Sequence, residues 1–149
     1  MLLRAGVVVC IAALAAASPA AAQEDGKSRR ARNDYLLHCS GCHDMDGSGH
    51  PAKGIPTFQN QIGYFTAIPE GRAMLMQIPG LLSSGLSDER AAAVTTWLVR
   101  EFAGPSLPAD FQPYTAAEAK RFRETRPVDI TATRERLYKQ IVDAGYPLK

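Results

Sequence analysis

Cysteine is scarce in this chain of 149 residues, with three in all, at positions 10, 39 and 42. Cys10 lies in an apolar N-terminal segment, so Cys39 and Cys42 have no second cysteine or histidine pair to complete a four-ligand structural zinc site. A disulfide between those two would close a short, strained loop. Nothing around residue 39 alternates like a β-strand, which argues against the strand–helix setting of a redox dithiol. A dominant charge is also missing. Seventeen Lys and Arg against fifteen Asp and Glu give a formal net charge of +2, so no nucleic-acid partner is expected. Past residue 22 no apolar run approaches the length of a membrane span, and stable membrane insertion is not expected either.

What the chain does contain is Cys39-Ser40-Gly41-Cys42-His43, the C-x-x-C-H pattern of covalent c-type haem attachment. The spacing has a chemical reason. On a helix, positions i, i+3 and i+4 share one face. Two thiols there can each add to a vinyl group of one porphyrin, and the imidazole at i+4 then stands under the iron as its proximal ligand. Cys39 and Cys42 are the expected thioether residues and His43 the expected iron ligand.

The N-terminus supports this reading, because haem attachment outside the cytoplasm needs an exported chain. Arg4 precedes the apolar run Val7 to Ala17, which is too short to cross a bilayer. Ser18-Pro19 breaks it, and Ala20-Ala21-Ala22 fits a cleavage site before Gln23. Residues 1–22 are therefore expected to be a cleaved signal peptide and the periplasm the destination. Val9 stands before Cys10 where lipidation wants a small residue, so no lipid anchor is expected. Cleavage leaves 149 − 22 = 127 residues, enough for one domain with a modest core.

The rest reads as helices and turns. Gln23 to Ser28 is polar and reads as a frayed tail, with Ser28 capping a helix from Arg29 through His43. Asp46-Gly47-Ser48-Gly49 is turn composition and opens a loop to about residue 61. A short helix is expected over Gly71 to Gln77, stopped by Pro79-Gly80. The strongest helical pattern follows Ser87-Asp88-Glu89, where a serine cap precedes two acids and Val94, Trp97, Leu98 and Phe102 share a face. Gly104-Pro105 ends it. Leu107 to Tyr114 reads as a connector, Thr115 to Glu118 as a capping box for a helix to Arg123, and a last helix runs from Thr131 or Ala132 to Ala144.

Residues 29–103 resemble the small single-haem class I cytochromes c. The likeness lies in Tyr35-x-x-x-Cys39-x-x-Cys42-His43, Asp46-Gly47-x-Gly49, Gly54-Ile55-Pro56 and Leu86-Ser87-Asp88-Glu89 leading to Trp97-Leu98. It implies an all-α fold around one covalently bound haem c, with Tyr35 and Trp97 where the first and last helices of the haem domain cross. It also implies that the Pro56 carbonyl takes a hydrogen bond from the proximal imidazole. Residues 104–149, outside the resemblance, form a Pro-containing connector and a helical extension, expected to pack on the haem domain (23–103) rather than to dock a partner.

Members of that family usually offer a methionine, often before proline, as sixth ligand, and no Met-Pro occurs here. Met45 is on the wrong side of the ring. Met76 is preferred as the distal ligand and Met74 is the runner-up. His50, in the glycine-rich loop, reads as a solvated histidine and His38 as a rim residue. The function implied is electron transfer between a dehydrogenase or reductase and the respiratory chain, with a terminal oxidase or reductase as acceptor. The protein is then an electron carrier rather than an enzyme, and Lys53 and Arg72 read first as exposed, solvated side chains and second as local partner contacts. The alternatives are a five-coordinate haem that binds a small ligand or reduces peroxide, and a cytochrome subunit of a larger oxidoreductase.

Overall fold

The computed structural model describes residues 19–148, so the N-terminal apolar run with Cys10, and the signal segment as far as Ser18, lie outside the described residues. The fold is all-α. Its helices are α1 (Pro19–His38), α2 (Ser40–His43), α3 (Ile62–Thr66), α4 (Pro69–Met74), α5 (Pro79–Leu82), α6 (Asp88–Phe102), α7 (Ala116–Glu124) and α8 (Ile130–Asp143). Pairing of strand type among the described residues is confined to one bridge between His50 and Ile55.

Helix α1 differs from expectation at both ends. It runs straight through the polar stretch Gln23 to Ser28 instead of starting at Ser28. Alanine, glutamine, glutamate and lysine are strong helix formers, and Gly26 alone weakens that stretch. At the other end α1 stops at His38, and Cys39, at φ −123° and ψ −38°, separates it from α2. The two remain joined by Cys39 N–H donating to Tyr35 O at 2.8 Å and by the Ser40 hydroxyl donating to Leu36 O at 2.8 Å. A second correction concerns Pro79, which opens α5 at its first turn rather than stopping a helix. Proline's fixed φ suits that position, where its missing N–H would have no partner anyway.

Helices α1 and α6 cross at the centre of the molecule. Ala31, Asp34 and Tyr35 present one buried stripe of α1. Tyr35 meets Trp97 with ring centroids 5.3 Å apart and Phe102 at 5.2 Å. The buried Asp34 carboxylate is met by Arg90 from α6, whose Nε lies at 3.1 Å. A charge taken out of water needs such a partner. Helix α6 itself begins as the sequence dictates, with the Ser87 hydroxyl accepting from Arg90 N–H.

Residues 104–148 pack on this body. The Thr115–Glu118 capping box starts α7, and Asp129 caps α8 by accepting from Ala132 N–H at 2.9 Å. Ala119 of α7 and Leu137 and Ile141 of α8 are fully buried. The buried amide of Gln77 donates to Phe122 O at 2.9 Å and Thr125 O at 3.1 Å. Arg123 reaches Asp88 at 2.8 Å, and Arg136 pairs with Glu70. Val142 of α8 is exposed.

Candidate functional site

The loop after α2 is built around His43. Asp44 ends the helix with a positive φ of 59°, and Tyr35 donates its hydroxyl to Asp44 O at 2.6 Å. Gly49 N–H returns to His43 O at 3.0 Å. The chain then passes behind the imidazole, where His43 Nδ1 lies 3.1 Å from Pro56 O. A carbonyl oxygen only accepts, so Nδ1 carries the proton and Nε2 is the nitrogen left to bind a metal. The Phe58 ring stacks on the imidazole with centroids 4.0 Å apart and 19° between planes, which limits its rotation. Burial lowers the His43 pKa, opposed by the Pro56 carbonyl and by Asp44, and this favours the neutral imidazole that ligation requires.

Cys39 is half-buried and Cys42 exposed, and both are free thiols. Burial, with the nearby Asp34 and Cys42 adding to it, pushes the Cys39 thiol up to about 11. Reactive dithiols depend on a lowered thiol pKa, so the redox-dithiol reading loses support. Among the described residues no cluster of three or more His, Cys, Asp or Glu side chains is placed to hold a metal ion, so the zinc half-site is not completed.

Cys39, Cys42 and His43 border a cavity of about 380 Å³, within the size range of ligand sites. Its walls are mostly apolar, from Ile55 to Phe58 behind the histidine, Phe65 and Leu75 deeper in, and Val94 and Leu98 from α6. A flat apolar ring fits such a wall, and the two thiols and the bare Nε2 stand at its rim. The residues present therefore fit a covalently attached haem.

The two candidate methionines sit differently. Met74 borders the cavity, while Met76 is not on its wall. Met76 is fully buried and takes the Thr95 hydroxyl at 3.9 Å on its Sδ. Met45 is exposed. His50 lies 3.4 Å from Asp44 Oδ2 at the surface, and His38 sits on the cavity rim beside Cys39. Lys53 is exposed, but Arg72 is not the exposed contact expected. Its guanidinium donates to Glu118 at 2.9 Å, Gln112 O at 2.8 Å and Pro113 O at 3.1 Å, and lies 4.0 Å from the Tyr114 ring centroid. It is an internal clamp between α4 and the extension.

Sequence reasoning passed over Phe58 and the contribution of α8. Ile130, Thr131, Arg134 and Tyr138 all border the cavity. Positions 130, 134 and 138 recur at i, i+4 and i+8, a helical stripe next to the buried one formed by Thr133, Leu137 and Ile141. That adjacency was legible, but the destination of the stripe was not.

Two known proteins resemble the chain, both named cytochrome c-552 and both from Thermus thermophilus. One is 28% identical over 138 residues, covering 79% of this chain and 88% of the relative. The other is 28% identical over 119 residues, covering 66% of this chain and 90% of the relative. The likeness supports a cytochrome c family. No family model matches the chain. Coverage of 79% of 149 residues is about 118 residues, more than the 103 that precede Gly104. The likeness to a cytochrome c therefore runs into the C-terminal segment, which the resemblance read from the sequence had left out.

Proposed function

We propose that this chain is a periplasmic electron carrier of the class I type, holding one covalent haem c. The observation that carries the reading is the C-x-x-C-H segment set at the rim of an apolar cavity, with His43 Nδ1 held by Pro56 O. The two cytochromes c-552 support it, as does the apolar N-terminal segment with its Ala20-Ala21-Ala22 site. No helix among the described residues is long and apolar enough to cross a membrane.

A bound c-type haem supplies an iron that gains and loses one electron. The protein does the rest. Cys39 and Cys42 would hold the group through thioethers and His43 Nε2 would ligate it. Pro56 O keeps the imidazole in one tautomer and makes it a stronger donor. The apolar wall would exclude water and so favour the less charged ferrous state, raising the potential. Met74, which borders the cavity, would offer a thioether as the sixth ligand, with Met76 the alternative. The exposed Cys42 marks the edge where a partner approaches. Donor and acceptor are a secreted dehydrogenase or reductase and a terminal oxidase or reductase. A second reading, an open iron that takes a small ligand or reduces peroxide, draws on the lack of a Met-Pro pair in the sequence.

Protein purified from a host able to attach haem is expected to stay red after denaturation and acid–solvent extraction, and to give a pyridine haemochrome. Cys39→Ala/Cys42→Ala is expected to lose the colour. A wild-type protein that yields no haemochrome sinks the proposal. In the ferric spectrum, Met74→Ala is expected to remove the weak far-red sulfur-to-iron band and Met76→Ala to keep it. A wild-type high-spin spectrum that shifts on adding cyanide would favour the open iron.

A further inference from the structure

The imidazole of His43 is held twice, and the two contacts restrain different things. The hydrogen bond from Nδ1 to Pro56 O, at 3.1 Å, fixes the place of one ring atom. It leaves the plane of the ring open, because χ2 of histidine is a soft torsion with broad minima. The plane is met by Phe58. Its ring centroid lies 4.0 Å from that of the imidazole with 19° between planes, closer than the about 4.5–7 Å usual for aromatic pairs. At that separation the two faces are in van der Waals contact, so turning the imidazole about χ2 drives its edge into the Phe58 face.

Phe58 is itself anchored. Its backbone N–H donates to Gly47 O at 2.8 Å, and its carbonyl accepts from Ile62 N–H at 3.1 Å, where α3 begins. The ring is buried and borders the cavity beside His43. It also meets Phe102, with centroids 6.3 Å apart and 29° between planes. Phe102 in turn packs on Tyr35 at 5.2 Å and on Trp97 at 5.6 Å, so a run of rings joins the crossing of α1 and α6 to the histidine. An aliphatic side chain would close the same stretch of wall, as Ile55 and Leu75 do, but has no flat face to hold a plane.

We propose that Phe58 is a positioning residue that sets the plane of the axial imidazole, while Pro56 O sets its tautomer and donor strength. This rests on the haem reading above. In a low-spin ferric haem the plane of an axial imidazole orients the orbital of the unpaired electron, and so decides how the spin spreads over the ring. The ferric protein, with haem attached, is studied as its cyanide adduct. Cyanide is axially symmetric and replaces any methionine ligand, so the imidazole alone orients the spin. The wild type is compared with Phe58→Leu, Phe58→Tyr and Phe122→Leu, the last an aromatic of α7 that is not on the cavity wall. Phe58→Leu is expected to raise the population of rotated imidazoles by about two- to tenfold. The spread of the haem-methyl proton shifts should contract, and the low-spin EPR signal should broaden or split. Phe58→Tyr keeps the flat face and should give the wild-type pattern, as should Phe122→Leu. The His43 Nδ1–H proton resonance should persist in Phe58→Leu, because its acceptor is untouched.

Circular dichroism confirms folding in each case. If Phe58→Leu does not fold, Phe58→Met, whose unbranched chain adapts to irregular gaps, gives the same readings. A Phe58→Leu protein with wild-type methyl shifts and EPR signal overturns the proposal while leaving the haem reading intact. So does a change that Phe58→Tyr or Phe122→Leu matches, which would reflect a loosened fold rather than a lost face. Loss of the Nδ1–H resonance in Phe58→Leu would route the effect through the Pro56 carbonyl and overturn it as well. A preparation without haem overturns both readings.

Discussion

A chain ended at Ala103 is expected to lose its cooperative thermal transition and to fail to hold a folded haem domain. Residues 104–149 bury Ala119, Leu137 and Ile141 completely, and Tyr114 almost so. Each large aliphatic side chain taken back into water forfeits about 1.5–3 kcal/mol, and the face it covered is exposed as well. Polar groups lose their partners in the same cut. The Gln77 amide, buried against Phe122 O and Thr125 O, would be left without either. The Arg72 guanidinium would lose Glu118 and two backbone carbonyls. Single domains are stable by only about 5–15 kcal/mol, which these losses together exhaust. Far-UV circular dichroism during heating checks this. A truncated chain that melts sharply and keeps a native haem spectrum would show the extension to be a docking arm instead.

Gly49→Ala is expected to disturb the iron ligand without touching it. Gly49 has φ +61°, and a Cβ there would lie 2.5 Å from Pro56 O and 2.9 Å from Ile55 O. Both are backbone atoms, so the strand of loop behind the histidine must move. Pro56 O is the acceptor for His43 Nδ1, so moving it weakens the bond that sets the imidazole's tautomer and donor strength. Gly54→Ala is the comparison, because Gly54 has φ +79° and nothing within 4 Å of the added carbon. Backbone strain alone costs about 1–2 kcal/mol at such a position. Gly49→Ala should therefore lose distinctly more stability in denaturant titration than Gly54→Ala, and it alone should change the reduction potential. Equal potentials in the two variants would mean that the carbonyl behind His43 has no part in tuning the iron.

The cluster at the cavity was legible in the sequence where it depends on local spacing. Cys39, Cys42 and His43 fall within five residues, and the turn that follows needs glycines that the sequence displays. The capping residues Ser87, Thr115 and Glu118 marked helix starts because capping is a contact over three positions. The boundary errors had local causes too. Pro79 reads as a stop but suits a first turn, and Gln23 to Ser28 reads as solvent-exposed tail because polar composition does not distinguish coil from an exposed helix. Side-chain direction was harder. Met74 and Met76 differ by two positions, and spacing alone does not say that Met74 borders the cavity while Met76 lies against Thr95. Arg72 looked like any solvated cation until a segment about forty residues away closed over it. The role of α8 was least visible, since nothing in its own sequence names the surface it faces.

That role bears on how small molecules reach the ring. The cavity is walled on one side by α2 and its loop, which carry the cysteines and histidine proposed to hold the haem, and on another by a helix that carries neither. Under the proposed reading, an opening of α8 at a free energy below that of global unfolding would expose the cavity while leaving the α2 side in place. Entry of cyanide or carbon monoxide would then need both that opening and release of the methionine from the iron, so its rate would report the α8 packing together with the bond to the metal.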